Sequence, residues 1–198
     1  MNIIGCDECG WGCGAGPLIV CGVRAPEDWT IKGLRDSKKI PPLKRRMLRN
    51  ILMEYADNKE IAFHIATRTN TQIDEMGCYA ALKDAYVEVF KTLYTDGDRV
   101  IADGNLRFDD LGVDHMNVES IIKADDSIPI CSAASIIGKV YRDEYMISIS
   151  SSYPNYNFDR NFGYLTPDHL DALKKYGVND LHRMTYAPMK NMVNKDDQ

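Results

Sequence analysis

Four acidic residues stand where short apolar segments of the sequence end or have just ended. Asp7 and Glu8 follow the apolar start of the chain, Asp103 closes RVIAD, and Asp125 closes VESIIKAD. Carboxylates without histidine or thiolate partners suit hard cations, especially Mg²⁺ or Mn²⁺. Two such ions can activate a water and stabilise the leaving oxygen when a phosphodiester is cut, so no protein nucleophile is required. The four residues therefore predict a metal-dependent phosphodiester hydrolase.

Other uses of these carboxylates stay open at this point. Paired carboxylates also serve glycoside hydrolysis, which needs only two of them and no basic segment. A single aspartate is by default a surface or capping residue. Adjacent strand residues point to opposite faces, so Asp7 and Glu8 can share a site only if their strand is distorted. Gly10 and Gly12 make a bulge there plausible.

The apolar patterns around these residues predict an α/β domain. Strands are predicted at residues 2–6, 17–24, 60–67, 99–105 and 118–126, and helices from Pro41, over about 73–94, over 130–146 and from Thr166 to Gly177. This order indicates a mixed sheet in a single domain over residues 1–198, with a helical C-terminal part at about 150–190 and a disordered tail at 193–198. Because sites in such sheets form at strand ends, we expect Asp7, Asp103 and Asp125 to converge.

Two side-chain patterns give more specific predictions. In the first helix, Leu43, Met47, Ile51 and Tyr55 recur every four residues and form the predicted packing face. His64 lies opposite the apolar face of the third strand. A surface or hydrogen-bonded role is favoured for it over metal binding, because no second histidine stands nearby at metal-binding spacing.

The charge of the chain is distributed unevenly. The net charge is −5, which argues against nucleic-acid binding by bulk charge. Residues 32–49 nevertheless carry a net charge of +7, so the remainder sums to −12. This asymmetry predicts a phosphate-facing patch, and the alternative is a solvated basic helix face. The basic residues of the segment are Lys32, Arg35, Lys38, Lys39, Lys44, Arg45, Arg46 and Arg49.

The six cysteines are expected to be reduced thiols. Cys6, Cys9 and Cys13 have a spacing that could serve zinc or an iron–sulfur cluster, but no downstream Cys/His pair completes the set. Buried packing roles are therefore favoured for them. The sequence shows no leader segment and no membrane span, and this predicts a soluble, cytoplasmic protein.

Seven motifs follow one another along the chain: GCDECGWGCGAGP (5–17), DSKK (36–39), IDEMGC (73–78), ADGN (102–105), KADDSIPICSAASIIGKVYRD (123–143), FGYLTPDH (162–169) and HRMTYAP (182–188). In this order they resemble ribonuclease HII, a type 2 ribonuclease H, over about the whole chain. The resemblance implies the ribonuclease H-like fold, with a mixed five-stranded sheet flanked by helices and a small helical C-terminal part. It also implies hydrolysis of the RNA strand of RNA–DNA hybrids, leaving 5′-phosphate and 3′-hydroxyl ends.

The resemblance assigns the catalytic and metal-binding roles by position within the motifs. It implies that Mg²⁺ or Mn²⁺, two ions when substrate is bound, is held by Asp7, Glu8, Asp103 and Asp125. Asp126, the next residue, is then a bystander.

The resemblance also implies substrate contacts. The backbone of Gly10, Trp11 and Gly12 would contact the ribose 2′-hydroxyl, the group that distinguishes RNA from DNA. Lys38 and Lys39 match a phosphate-contacting segment, and Tyr164 matches a tyrosine that stacks on the sugar at the RNA–DNA junction. The implied partner is an RNA–DNA hybrid or a DNA duplex that contains ribonucleotides. Protein partners are not predicted, and a monomer is expected.

Three residues depart from the family pattern. Trp11 stands where the family normally has arginine in a Gly-Arg-Gly loop, and Phe162 and Leu165 replace a lysine and a glycine. The first change removes a cation beside the scissile phosphate and adds an indole that could stack on a sugar or base. These changes put cleavage at single embedded ribonucleotides in question more than cleavage of longer RNA tracts.

Three alternatives accompany this interpretation. The sister ribonuclease HIII also lacks the loop arginine, but it carries an extra N-terminal domain, whereas the first predicted strand here begins almost at Met1. A junction-resolving nuclease of the same fold would prefer four-way DNA. A non-catalytic hybrid- or DNA-binding protein is the alternative from another class, and retention of all four carboxylates argues against it.

Overall fold

A five-stranded mixed sheet forms the centre of the described part of the chain. The structure is a computed structural model that describes residues 1–109 and 111–196, with side chains described as far as residue 192. The strands are β1 (Asn2–Cys9), β2 (Leu18–Pro26), β3 (Ala62–Arg68), β4 (Arg99–Asp103) and β5 (Asn117–Ile121), and their order in the sheet is β3-β2-β1-β4-β5. β1 pairs antiparallel with β2 and parallel with β4, and β4 pairs parallel with β5. The predicted α/β class and mixed sheet are confirmed.

Helices flank the sheet and make up the C-terminal part. They are α1 (Pro42–Asp57), α2 (Asn70–Met76), α3 (Cys78–Leu93), α4 (Ala124–Ser127), α5 (Pro129–Ser150), α6 (Phe158–Asn161), α7 (Pro167–Tyr176) and α8 (Met189–Asp196), and a 3₁₀ turn covers Ser37–Lys39. The tail predicted to be disordered, residues 193–198, overlaps the end of α8 and otherwise lies outside the described residues. That prediction and the predicted single domain stay predictions.

Each face of the sheet is covered by a different helix layer. α3 packs on one face, where its Tyr86, Val89 and Phe90 are fully buried with Ile4 of β1. α5 and α1 cover the other face. α5 carries a small residue at Gly138, and a Cβ atom there would stand 3.1 Å from the Cβ of Cys21 on β2. The close approach of α5 to the sheet therefore depends on a glycine, as the sequence predicts.

The predicted packing face of α1 is wrong. Leu43, Met47 and Ile51 are 73%, 59% and 40% exposed. The buried residues of the helix are instead Arg45, Leu48 and Leu52. Arg45 bonds to Asp143 of α5 and to two carbonyls of the 3₁₀ turn region, so this one basic side chain is buried beside the two leucines. Lys44 and Arg46 stay exposed.

Two element boundaries also differ from the prediction. The helix predicted over about 73–94 is divided at Gly77, whose φ of 82° lies outside the helical region. The strand predicted to reach Asp125 ends at Ile121, and Lys123 then adopts a left-handed φ of 61° before α4 begins. Local conformations of single residues set both boundaries, and apolar periodicity does not report them.

A separate apolar cluster supports the C-terminal part. It contains Tyr156 and Phe158 near α6, Leu173 of α7, and Met146 near the end of α5. Ala15 of the glycine-rich loop is buried in the same cluster. The C-terminal part thus packs directly on the loop between β1 and β2.

Three simple expectations can be compared with the structure. All six cysteines are free, and Cys6, Cys9 and Cys13 are buried, in agreement with a packing role. His64 bonds to Glu88 at 2.9 Å, as expected for a hydrogen-bonded histidine. Within the described residues, none of the helices combines the length and apolarity needed to cross a membrane.

Candidate active site

The carboxyl ends of the neighbouring parallel strands β1 and β4 lie at one edge of the sheet. Their pairing ends at Cys6 and Ala102, so Asp7 and Asp103 are the next residue of each strand. Asp7 is buried, and it lines a cavity of about 180 Å³ together with Glu8 and the glycine-rich loop. Topology therefore brings these carboxylates together across a long separation in sequence.

The strand distortion predicted at Asp7 and Glu8 is absent. β1 pairs with β2 residue by residue as far as Cys9. Both side chains nevertheless line the same cavity. Because β4 stops pairing at Cys6, one edge of β1 is open beyond that point, and adjacent side chains can reach the cavity without a bulge.

Asp125 reaches the site from a short helix. Oδ1 of Asp103 accepts hydrogen bonds from the backbone N–H of Ala124 at 2.7 Å and of Asp125 at 3.4 Å. The side chain that ends β4 therefore holds the start of α4. At the other end of that turn, the Ser132 hydroxyl donates to the Asp125 carbonyl at 2.6 Å.

Burial and neighbouring carboxylates raise the pKa values of Asp7, Glu8 and Asp125. Burial, opposed by a Ser135 hydrogen bond and reinforced by Glu8, Asp103 and Asp125, raises the pKa of Asp7 to about 8. Burial and the charge of Asp103 raise the pKa of Asp125 to about 6, and burial raises that of Glu8. A surplus of negative charge in a partly buried place is what a divalent cation would offset.

The donor set fits a hard cation, although it is not yet arranged around one. The four side chains offer only oxygen donors, as Mg²⁺ and Mn²⁺ prefer. Across residues 1–109 and 111–196, no three His, Cys, Asp or Glu side chains are gathered at metal-binding spacing. The thiols of Cys6, Cys9 and Cys13 are therefore not grouped as ligands either.

The glycine-rich loop enters the same cavity. Gly10 has a φ of 93°, and a Cβ atom there would lie 2.2 Å from Nε of Arg142, so glycine is required. Gly12 is exposed and has no heavy atom within 4 Å of its Cβ position, which leaves its backbone open to a ligand. The Trp11 N–H donates to Oε2 of Glu8 at 3.2 Å. The loop is thus tied to one of the carboxylates.

Two fully buried arginines hold this loop from behind. Arg142 donates to the carbonyls of Pro17, Ala15 and Phe162, at 2.7 to 3.1 Å. Arg183 donates twice to the carbonyl of Gly16 and once to that of Trp11. Both guanidinium groups donate to backbone carbonyls, and these hydrogen bonds hold the loop in place.

The sequence of this chain is similar to those of known proteins. Residues 4–189 match the family model described as Ribonuclease HII. Ribonuclease HII of Francisella tularensis subsp. tularensis (strain WY96-3418) is 38% identical over 195 residues, which cover 98% of this chain and 100% of the relative. The chain belongs to the ribonuclease HII family. It is accordingly a ribonuclease H endoribonuclease.

Solved structures share the fold. Ribonuclease HII of Archaeoglobus fulgidus, solved as a complex with PCNA, superposes with a TM-score of 0.78 and 26% identity, covering 94% of this chain and 95% of that one. A ribonuclease HIII, Bst-RNase HIII in complex with Mn²⁺, superposes with a TM-score of 0.68 and 19% identity, covering 98% of this chain and 70% of that one. The predicted ribonuclease H-like fold is confirmed.

Tyr164, the ribonuclease HII residue expected to stack on a sugar, also lines the cavity. Nζ of Lys139 lies 5.4 Å from its ring centroid, and the Arg142 guanidinium lies 5.9 Å away. The Tyr164 carbonyl accepts the Nδ1–H of His169, whose Nε2 lies 3.0 Å from Nε2 of His182. Burial lowers the pKa of both histidines, so the pair is neutral and holds the tyrosine segment in place.

The two lysines of DSKK face different partners. Lys38 lines the cavity, where the charges of Asp7, Glu8 and others raise its pKa against the effect of burial. Nζ of Lys39 instead bonds to Asp126 at 2.6 Å. Asp126, predicted to be a bystander, therefore forms an exposed ion pair with Lys39, and neither residue lines the cavity.

The basic segment 32–49 is less cationic than its sequence indicates. Arg45 pairs with Asp143, and Arg46 and Arg49 pair with Glu144, all across the α1–α5 contact. Acidic residues of α5 thus neutralise much of the predicted phosphate-facing patch. Lys38 is the member of the segment that reaches the cavity.

Several residues that build this site were not predicted from the sequence. Lys139 and Ser135 line the cavity, and the Ser135 hydroxyl lies 2.9 Å from that of Ser37, next to Asp7. Arg142 and Arg183 hold the loop. All of them lie within the quoted motifs, so their motif membership was the available signal. Ser135, Arg142 and Arg183 make contacts with residues more than 90 positions away in sequence, and sequence spacing does not report such contacts.

Proposed function

We propose that this chain cuts the RNA strand of RNA–DNA hybrids by metal-dependent hydrolysis that leaves 5′-phosphate and 3′-hydroxyl ends. The observation that supports this most is the arrangement of Asp7, Glu8 and Asp103 at one sheet edge, with Asp125 tied to Asp103 through α4. Family membership adds the substrate class.

We propose that the four carboxylates hold Mg²⁺ or Mn²⁺, two ions when substrate is bound. When bound, the ions supply an activated water and stabilise the leaving oxygen. The residues of the chain position the groups that act on the substrate. Asp103 fixes Asp125 through α4, and Lys38 places a positive charge at the cavity. A cytoplasmic location, a monomeric state and a role in replication and repair stay predictions.

The glycine-rich loop is proposed to recognise the ribose. The Gly12 backbone is open to solvent beside the carboxylates, and backbone groups there can hydrogen-bond a 2′-hydroxyl. Tyr164 also lines the cavity, where a sugar can stack on its ring. The two buried arginines keep the distance between these surfaces constant, because Arg142 bonds to the backbone on both sides.

Substrate preference is proposed to depend on Trp11. Where the family has a cation, the chain has an indole that lines the cavity, so it gains a stacking surface and loses an ion pair with phosphate. We infer a preference for tracts of several ribonucleotides, the preference expected of ribonuclease HIII, over a single embedded ribonucleotide.

One experiment tests the proposal. Purified protein is incubated with an RNA–DNA hybrid, with a DNA duplex that contains one ribonucleotide, with duplex DNA and with four-way DNA, each with Mg²⁺, with Mn²⁺ and without metal. Cutting of the hybrid, with 3′-hydroxyl ends and none without a metal, is expected. Preferential cutting of four-way DNA, or binding of hybrid without cleavage under every metal, would contradict the proposal.

A further inference from the structure

A shallow groove continues from the cavity along α3. The ring of Trp11 lines the cavity, and its centroid lies 6.3 Å from that of Tyr79, with 53° between the ring planes. Tyr79 is 49% exposed and begins a groove of about 400 Å³ along α3, which Leu111 closes from the other side. The two aromatic rings therefore join the cavity and the groove into one surface.

The groove is built on one side of α3. Its floor includes Tyr79, Lys83, Val87 and Lys91, which follow one another at intervals of four residues. Such a row runs along one side of a helix, and twelve residues at 1.5 Å each span about 18 Å. Phosphates on one strand of a duplex rise by about 3.4 Å each along the helix axis, so the row is as long as about five base-pair steps.

Within the described part of the chain, the groove lining carries two lysines, Lys83 and Lys91, and one acid, Asp84. Asp84 and Glu88 of α3 both bond to Arg68 of β3, at 2.7 Å in each case, which offsets their charge. Lys83 turns toward the groove instead, with its Nζ 5.5 Å from the ring centroid of Tyr79. The surface thus offers exposed aromatic faces beside lysine charge.

Aromatic rings combined with lysine charge suit one kind of ligand. The sugars of a duplex face outward and can pack on exposed rings whatever the base sequence, and lysines neutralise the phosphates that connect them. An acidic peptide would use the lysines but would gain little from two aromatic faces. A nucleic-acid strand uses both, and it is already the substrate of the adjoining cavity.

We propose that Trp11, Tyr79 and Lys83 bind the part of the hybrid that continues beyond the scissile phosphate, by stacking and by phosphate contact. This inference rests on the proposed function. In this proposal, the α3 surface sets how much flanking nucleic acid the enzyme requires. Trp11 lies between the catalytic cavity and that surface and contributes to both.

The test compares two hybrids by fluorescence anisotropy without divalent cation. One covers only the cavity, and the other is longer by about ten base pairs, enough to reach the groove from either end. Wild-type protein should bind the longer hybrid more tightly. Tyr79→Leu should lose about tenfold of that affinity, the effect of one lost stacking contact, with an unchanged salt dependence. Lys83→Gln should lower the slope of log affinity against log salt by about 0.9.

A second lysine–tyrosine pair provides the matched control. Nζ of Lys175 lies 4.8 Å from the ring of Tyr176 on α7, and that tyrosine is 45% exposed. Tyr176→Leu and Lys175→Gln should bind both hybrids as the wild type does. If the α3 variants behave like these controls, or if the wild type gains nothing from the longer hybrid, the α3 surface is not used.

Failure of the surface and failure of the proposed function are separable. Wild-type cleavage of the hybrids with Mn²⁺ tests the function by itself, and its absence would overturn the function. Cleavage by the wild type, together with unchanged binding in Tyr79→Leu and Lys83→Gln, would overturn only the α3 surface. Thermal unfolding of each variant shows whether the fold is kept, as expected for side chains at the surface.

Discussion

The two halves of the site are built from side chains of opposite charge. The carboxylate half comprises Asp7, Glu8, Asp103 and Asp125, and the loop half comprises residues 10–17 with residues 162–165. The carboxylate half gathers like charges at a sheet edge, where burial and neighbouring carboxylates raise the pKa values of Asp7 and Asp125. The loop half is held by two buried guanidinium groups that donate to backbone carbonyls. The first half gains from a bound cation, whereas the second is complete without one.

Because of this difference, substitutions in the carboxylate half should mainly affect catalysis, and substitutions of the arginines behind the loop half should mainly affect stability. Removing a carboxylate takes away a ligand and also relieves repulsion, so it should harm catalysis far more than folding. Removing a buried arginine leaves several carbonyls without donors, so it should harm folding first. The predictions below follow from this contrast, from the largest expected effect to the smallest.

Asp103→Asn should abolish metal-dependent cleavage of an RNA–DNA hybrid, at least about 10³-fold. The asparagine Oδ1 can still accept the Ala124 N–H, so α4 keeps its position. Unfolding by urea without metal should show no loss of stability, because one of the mutually repelling charges is gone. Cleavage rates and urea midpoints are the measurements.

Asp126→Asn is the matched control, since it changes the neighbouring carboxylate that pairs with Lys39. Its cleavage rate should stay close to that of the starting protein, because exposed ion pairs contribute little. Full activity in Asp103→Asn, or an equal loss in both variants, would refute the assignment of the carboxylate half.

Arg142→Met should lower the free energy of unfolding by about 3 kcal/mol, because the carbonyls of Ala15, Pro17 and Phe162 lose their donor in a buried place. Urea unfolding measures the loss. Arg142→Lys should recover part of it, since the ammonium group can still donate to some of these carbonyls.

Arg160→Met offers the comparison for this effect, because the Arg160 side chain is 81% exposed. It should change stability by less than about 0.5 kcal/mol. Similar losses in Arg142→Met and Arg160→Met would mean that the buried guanidinium does not hold the loop half.

The histidine pair should make stability depend on pH. Burial and the neighbouring His169 lower the pKa of His182 to about 4, against an ordinary value of 6.5. The unfolded chain therefore binds a proton more readily between these values, so this contribution is complete above about pH 6.5 and is lost as the pH falls toward about 4. Between pH 7 and pH 5 the loss amounts to about 2 kcal/mol.

Urea midpoints at pH 7 and pH 5 measure this dependence. In His182→Gln the difference between the two midpoints should shrink, whatever the stability of the variant at pH 7. An unchanged difference would assign the acid sensitivity to groups other than the pair that holds Tyr164.

Trp11→Arg should raise cutting at a lone ribonucleotide, relative to an all-RNA strand, by about two- to fivefold. This is the effect of about 0.5 to 1 kcal/mol that an exposed ion pair contributes, here between arginine and phosphate. The ratio of the two cleavage rates is the measurement. Trp11→Leu separates loss of stacking from gain of charge, and it should not raise the ratio.

Much of the fold could be predicted from patterns in the sequence. The strands and most helices follow apolar periodicity, and motif order indicated the family. The packing face of α1 could not be predicted, because the burial of Arg45 depends on tertiary contacts that include a bond to Asp143, 98 positions away. Asp125 was expected at a strand end, but a left-handed Lys123 places it in α4.

The sequence by itself determined which groups the site can contain: oxygen donors for a hard cation, a glycine-rich loop, and tryptophan where the family has arginine. These depend on residue type and order along the chain. Only the tertiary structure decided how they combine. It pairs the basic segment with acids of α5, places Asp7 beside Asp103 through parallel pairing, and continues the cavity along α3. Each of these is a contact between distant segments, and its energy depends on distance and burial, which exist only in the folded chain.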